Sequence, residues 1–330
     1  MKKVNYLFLS FICFFVLVSC ASTPVSFSFD KSLSFTIYSA SKNAKEYFQE
    51  AITFINEDNK EECKALLSKW ENENSEDPEL YLSRFLYYLN ESIIHHENVS
   101  SSIPTDGSPY EEQIDEKGNK VYVSFSFSYD EENYNEACEI LEKAITVHPL
   151  RLDLYNELIS TYFNNEKWEE GIDVIYKVFD TLKMNNNVWL NHFNTLPTYL
   201  DNKEELELDL ARTIHPFVEY LFAQKNEELT SIAIDIDNRL VKEMPNNYQL
   251  LNLVSSDFFN VGLREEALEY LTYAHNLVPE DLIIISNLAL YNVLCGNLEE
   301  FYLYNNMLLN SNNEYWVNFG NYLLNQYIQE

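Results

Sequence analysis

One phrase recurs along this chain with a fixed phase, and that phase narrows the fold more than any composition figure does. Near the C-terminus it runs Gly262-Leu263-Arg264-Glu265-Glu266-Ala267, with Ala274 seven residues later and Pro279 five further. Ala233, Leu240 and Pro245 hold the same spacing one repeat before Ala267, Ala274 and Pro279. Small residues seven apart fall on one helical face about two turns apart, where a second helix can approach closely. Pro279 stops that helix, because proline donates no backbone bond and clashes with the preceding turn. Gly262 ends the helix before it. Leu250, Leu251, Val254, Phe258 and Phe259 recur near i, i+4 and i+8, the pattern of an amphipathic helix. A helix pair repeated every ~34 residues builds a solenoid, and a solenoid usually binds rather than catalyses.

The phase continues in both directions. Ala137, Ala144 and Pro149 keep the spacing, as do Gly171, Val178 and Lys183 one repeat later. Cys63, Trp70 and Ser75 fit more loosely, and Gly296-Asn297-Leu298-Glu299-Glu300-Phe301 restates the Gly262 phrase. This pattern resembles the tetratricopeptide-repeat family over roughly residues 44 to 313, most specifically at 262–279. The resemblance implies antiparallel helix pairs stacked in a right-handed superhelix, with the first helix of each pair lining a concave groove. By repeat phase it assigns Asn156, Ser160, Phe163, Phe222, Asn252, Ser256 and Phe259 to a partner-binding groove. There, amide side chains would fix an extended peptide backbone and aromatic rings would supply apolar contact. The family's carboxylate clamp needs several lysines or arginines in that groove, and this chain lacks them there.

The N-terminus carries an address. A short basic start, Met1-Lys2-Lys3, precedes the apolar run Tyr6 to Val18, too short and wrongly flanked for a membrane span. The run ends in Leu17-Val18-Ser19-Cys20, which resembles a bacterial lipobox. That resemblance implies cleavage before Cys20 and acylation of its thiol and its new amino group. Several acyl chains anchor stably where one would be marginal. An ordinary signal peptide that contains a cysteine is the alternative. Ala21 follows the cysteine where an Asp often marks retention at the inner membrane, so the expected address is the outer membrane, facing the periplasm, with surface exposure as a variant.

The resulting organisation is a signal peptide over 1–19, a lipidated tether over 20–41 and a helical solenoid of about six pairs over 42–330. The first pair is expected over about 44–74, and the next helix over about 79–95 after Asp77-Pro78. Ser75 to Pro149 exceeds one repeat by roughly 40 residues. The excess is placed as an insertion at about 96–130, where Tyr110 to Ile114 and Val121 to Tyr129 read as a β-hairpin around Asp115-Glu116-Lys117-Gly118-Asn119. Val25-Ser26-Phe27-Ser28-Phe29-Asp30 nearly copies Val123 to Asp130, so residues 25–29 are a candidate third strand; coincidental low complexity is the alternative. Lys183 to Pro245 falls six residues short of two repeats. A helix near 188–199 and a long one over 203–224, with His215-Pro216 as a break or kink, are expected there. A last helix, Trp316 to Ile328, caps the stack.

The formal charge of −31, or −33 once Lys2 and Lys3 are removed, repels nucleic acid and anionic headgroups and favours cationic partners. Cys63, Cys138 and Cys295 are odd in number and far apart, so they read as buried free thiols rather than a disulfide framework. The glutamate pairs at 61–62, 169–170, 265–266 and 299–300 each open a second helix, where the helix dipole favours negative charge. His95 and His96, placed on a helix, diverge by about 100° and cannot easily share one metal. No phosphate loop, G-x-S-x-G elbow or HExxH is present. The chain therefore reads as a non-enzymatic scaffold without cofactor, catalytic set or metal site, holding an envelope protein or peptide. The alternative is a small-ligand-binding accessory component of a solute transporter, which an enclosed apolar pocket would favour.

Overall fold

The computed structural model describes residues 28–29, 33–34, 40, 43–104, 110–185, 187–197 and 202–328. The signal peptide, Cys20 and most of the tether lie outside the described residues. Twelve helices form six antiparallel pairs among them: α1 (Ala44–Asn56) with α2 (Lys60–Glu73), α3 (Pro78–Ser92) with α4 (Glu131–Val147), α5 (Leu152–Asn164) with α6 (Trp168–Asn185), α7 (Lys203–Ala223) with α8 (Glu227–Glu243), α9 (Tyr248–Asn260) with α10 (Arg264–Leu277), and α11 (Leu282–Cys295) with α12 (Leu298–Leu309). A final helix, α13 (Glu314–Tyr327), packs on α11 and α12. Contacts between α1 and α3, α5 and α7, and α7 and α9 stack successive pairs. The molecule is an all-α, tetratricopeptide-like solenoid with a small β insertion.

The recurring phase is the core. Cys63, Ala137, Ala233, Ala267 and Phe301 are each 0% exposed, and Gly171 is buried with them. Seven residues on, Trp70, Ala144, Val178, Leu240, Ala274 and Leu308 are also 0% exposed. Each fully buried Leu or Val side chain there stabilises the stack by about 1.5–3 kcal/mol. The side chains of Asp77, Asp130, Asn226, Asn247 and Asp281 accept from the exposed amides of the helices that follow them. Each cap contributes about 1 kcal/mol. Gly296 ends α11 in the left-handed conformation, with φ of 81°. The glutamate pairs lie in the first turns of α2, α6, α10 and α12. Cys63 and Cys138 are buried thiols, pushed up to about 11 by burial, and Cys295 is half-buried.

Three expectations are corrected. First, α3 ends at Ser92, three residues early, and runs straight into a strand. The insertion is a three-stranded antiparallel sheet, not a hairpin: β3 (Ile93–Ser100), β4 (Tyr110–Ile114) and β5 (Lys120–Tyr129), with β5 central. Second, the third strand is supplied by 93–100, with Ile93 opposite Tyr129 and Ser100 opposite Tyr122. Ser28–Phe29 instead pairs with Leu33–Ser34, and residues 25–27 lie outside the described residues. The Asp130 amide donates to the Ser92 carbonyl at 2.6 Å, so the sheet begins where the two helices meet. His95 and His96 therefore sit on a strand and alternate between its faces. Third, residues 187–197 form no α-helix but a single 3-10 turn at His192–Asn194. Phe193 and Asn194 take positive φ there, 60° and 52°, which an α-helix excludes. Helix α7 continues through Pro216.

Candidate functional site

Helix α9 places Asn252, Ser256 and Phe259 at i, i+4 and i+7, on one face. Helix α11 meets that face with Asn287 and Tyr291. The Asn287 amide donates to Asn252 Oδ1 at 2.8 Å, and the Tyr291 hydroxyl donates to Ser256 Oγ at 3.0 Å. The Phe259 and Tyr291 rings stack at 4.0 Å and 11°, with the Arg264 guanidinium 5.5 Å from the Phe259 ring. All but Tyr291 are half-buried or more exposed, so part of this ladder meets solvent. Amides supply both donors and acceptors, which suits an extended peptide backbone. The side chains are already tied to one another, so less rotamer freedom is lost on binding.

The same three residue types occur earlier in the chain, with the same mutual spacing, as Asn156, Ser160 and Phe163 on α5. Asn156 and Ser160 are half-buried. Phe163 is only 3% exposed, which corrects its assignment to a groove: it is a core side chain. Trp168, Phe217 and Tyr220 enclose its ring at 5.5, 5.2 and 5.7 Å. A Cβ at Gly171 would fall 2.5 Å from that ring, so the glycine is what lets Phe163 lie flat. Phe222 is half-buried on α7 and packs against the same core. The structure thus brings together the three α9 residues and adds Asn287 and Tyr291. The signal for those two is the near-repeat offset: each stands one residue more than a repeat after the α9 residue it bonds, Asn287 after Asn252 and Tyr291 after Ser256.

Two groups of buried ionisable side chains lie elsewhere. In one, Arg151 and Glu79, both with 0% exposed side chains, pair at 2.9 Å, and Asp153 takes a second guanidinium bond at 2.7 Å. His192 approaches Glu79 at 3.4 Å, and the Phe193 amide donates to the same carboxylate. Burial alone would raise Glu79; Arg151 and His192 outweigh it and hold the carboxyl down at about 2. Glu157, one turn along α5 from Asp153, is pushed up to about 7 by burial and then by the Asp153 charge. This group fastens the loop 187–197 to the start of α3 and has no open face for a substrate on Glu79 or Arg151.

In the other, His215 and Glu219 on α7 face Asp257 on α9 and Asp237 on α8. His215 Nε2 lies 2.6 Å from Asp257 Oδ2, and His215 Nδ1 lies 3.8 Å from Glu219. Burial lowers the imidazole's affinity for a proton, but the Asp257 bond and charge, with Glu219, leave it above its ordinary value.

No protein-family model matches the chain, and no curated protein matches it. Its fold is similar to those of several solved structures. PilW, described as a widely conserved type IV pilus biogenesis factor, is 11% identical, with 84% of this chain and 99% of that one covered and a TM-score of 0.36. YrrB, described as a TPR protein with an unusual peptide-binding site, is 14% identical, with 73% and 89% covered and a TM-score of 0.31. MamA from Desulfovibrio magneticus RS-1 is 13% identical, with 55% and 89% covered and a TM-score of 0.30. The repeat architecture rests on this chain's own six helix pairs, and in that architecture it is tetratricopeptide-like.

Proposed function

We propose that this chain is a lipid-anchored scaffold facing the periplasm of a bacterial envelope, and that it holds an extended segment of a protein partner on the α9–α11 face. The observation that carries the reading is the ladder of Asn252–Asn287, Ser256–Tyr291 and Phe259–Tyr291 contacts, which presents fixed amide and aromatic groups along one line. The net charge of −31 favours a partner segment rich in lysine or arginine. The lipid anchor rests on the Leu17-Val18-Ser19-Cys20 sequence alone.

Affinity capture from envelope extract, wild type against an Asn252→Ala/Tyr291→Ala variant, tests the face. Recovery of the same proteins by both would sink it. Cys20→Ala tests the anchor: the variant should leave the detergent phase and lack an acylated N-terminal peptide by mass spectrometry. The transporter-accessory alternative would need an enclosed apolar pocket. The cleft between α4, α5 and α6, about 430 Å³, is open and lined by Glu142, Lys177, Asp180 and hydroxyl groups rather than an enclosing apolar wall.

A further inference from the structure

The group at the α7–α8–α9 junction has an imbalance of charge that the fold leaves uncorrected. Asp237 is 0% exposed, and neither of its carboxylate oxygens meets a hydrogen-bond donor. The polar group that it faces is another acceptor, the Asp257 carboxylate, with Glu219 adding further negative charge. Two carboxylates, Asp257 and Glu219, thus flank the imidazole, and Asp237 stands against Asp257. Among the described residues, no lysine or arginine forms an ion pair with any of the four. A carboxylate desolvated this far is strongly unfavourable unless a proton or a cation compensates it.

The geometry favours a cation. His215 and Glu219 are one turn apart on α7, so both project to the same side. One donor atom each from His215, Glu219 and Asp257 lie within 4.8 Å of one another. Zinc bonds to nitrogen and oxygen of about 2.0–2.2 Å put tetrahedral donors about 3.4 Å apart. To admit the ion the His215–Asp257 pair, at 2.6 Å, would open by about 0.8 Å, and the Glu219 side chain, 64% exposed, would swing inward. The His215 and Asp257 side chains are 8% and 9% exposed, so the back of the cluster is dry while the Glu219 side admits an ion. An imidazole with few carboxylates suits a zinc-like ion; calcium and magnesium ask for six or more oxygen ligands.

We propose that His215, Glu219 and Asp257 bind a divalent transition ion of the zinc class, with Asp237 completing the anionic wall of the site. The ion would tie α7 directly to α9, one residue along the helix from Ser256 of the partner face. The site stands whether or not that face binds a protein.

The test uses the full-length chain in detergent, stripped with a chelator, dialysed and titrated with zinc against a chromophoric competitor. One equivalent of zinc per chain should bind, with an X-ray absorption shell containing an imidazole nitrogen and oxygens, and excess magnesium or calcium should not displace it. His215→Gln and Asp257→Asn should each weaken binding roughly tenfold or more. Glu219→Gln, at an exposed position that does not threaten folding, should weaken it too. Wild type that takes up no zinc overturns the proposal, as does unchanged affinity in Glu219→Gln or in a folded His215→Gln. Zinc-free wild type together with a fully stable Asp237→Asn would identify a shared proton in place of the ion.

Discussion

At the scale of single residues, Glu157 makes the cost of burial measurable. Its carboxyl is raised from an ordinary 4.5 to about 7, first by burial and then by Asp153. A raised carboxyl favours its protonated form in the fold, so the penalty is absent below pH 4.5, grows between 4.5 and 7, and is complete above 7. Glu157→Gln should leave stability unchanged at pH 4 and raise it at pH 8 by about 1–2 kcal/mol, after screening at the half-buried side chain. Urea unfolding of both proteins at the two pH values reads this directly. Equal curves at pH 8 would show that the carboxylate is adequately solvated. Phe163 teaches the complementary lesson. Its repeat phase matches Phe259, yet its ring is sealed while Phe259 reaches solvent, because Gly171 lets Phe163 sink among Trp168, Phe217 and Tyr220. Phase selects a helix face; what covers that face depends on side chains from other helices.

At the scale of elements, the Glu79–Arg151 pair decides where the irregular loop 187–197 lies. Arg151→Met should destabilise the protein by about 3–5 kcal/mol, because it leaves the Glu79 carboxylate buried without its partner. Arg151→Met with Glu79→Gln removes both charges and should recover much of that loss in denaturant unfolding. Equal losses in the single and double variants would assign the effect to packing instead. This loop also marks the limit of what the sequence discloses. Helices α1, α2 and α7 to α12 are readable because the apolar period and the turn residues between helices agree. The helix expected near 188–199 does not form over the described residues 188–197. Its interactions are non-local, with Glu79 more than a hundred residues away binding the Phe193 amide, and they hold φ values that no helix permits. Likewise, the apolar pattern carries α3 on to His95, because a strand's onset inside an apolar run has no local punctuation; the pairing of 93–100 with β5 settles it. The Asn252, Ser256 and Phe259 face is legible from the repeat, whereas the His215–Asp257 contact joins residues 42 apart, a spacing that no motif announces.

At the scale of the whole molecule, a solenoid is held mainly by contacts between neighbouring pairs, so assembly can start anywhere and spread. The β insertion interrupts that freedom. In five pairs the two helices are joined by a connection of two or three residues, short enough to close at once. In the pair α3–α4 the connection is the whole stretch from 93 to 130, and closing it as a free loop would cost about 2 kcal/mol more than closing a tight turn. The sheet removes that cost by placing Ile93 opposite Tyr129, but only after its strands have zipped. The consequence is an order in time. Helices α5 to α13 can condense first as one unit, and α1 to α4 join when the ribbon has formed. Pulsed hydrogen exchange during refolding should show α9 to α12 protected ahead of α3 and α4, and simultaneous protection would refute this order. A refolding chain would then be folded in its far half while the half nearest its N-terminus is still open.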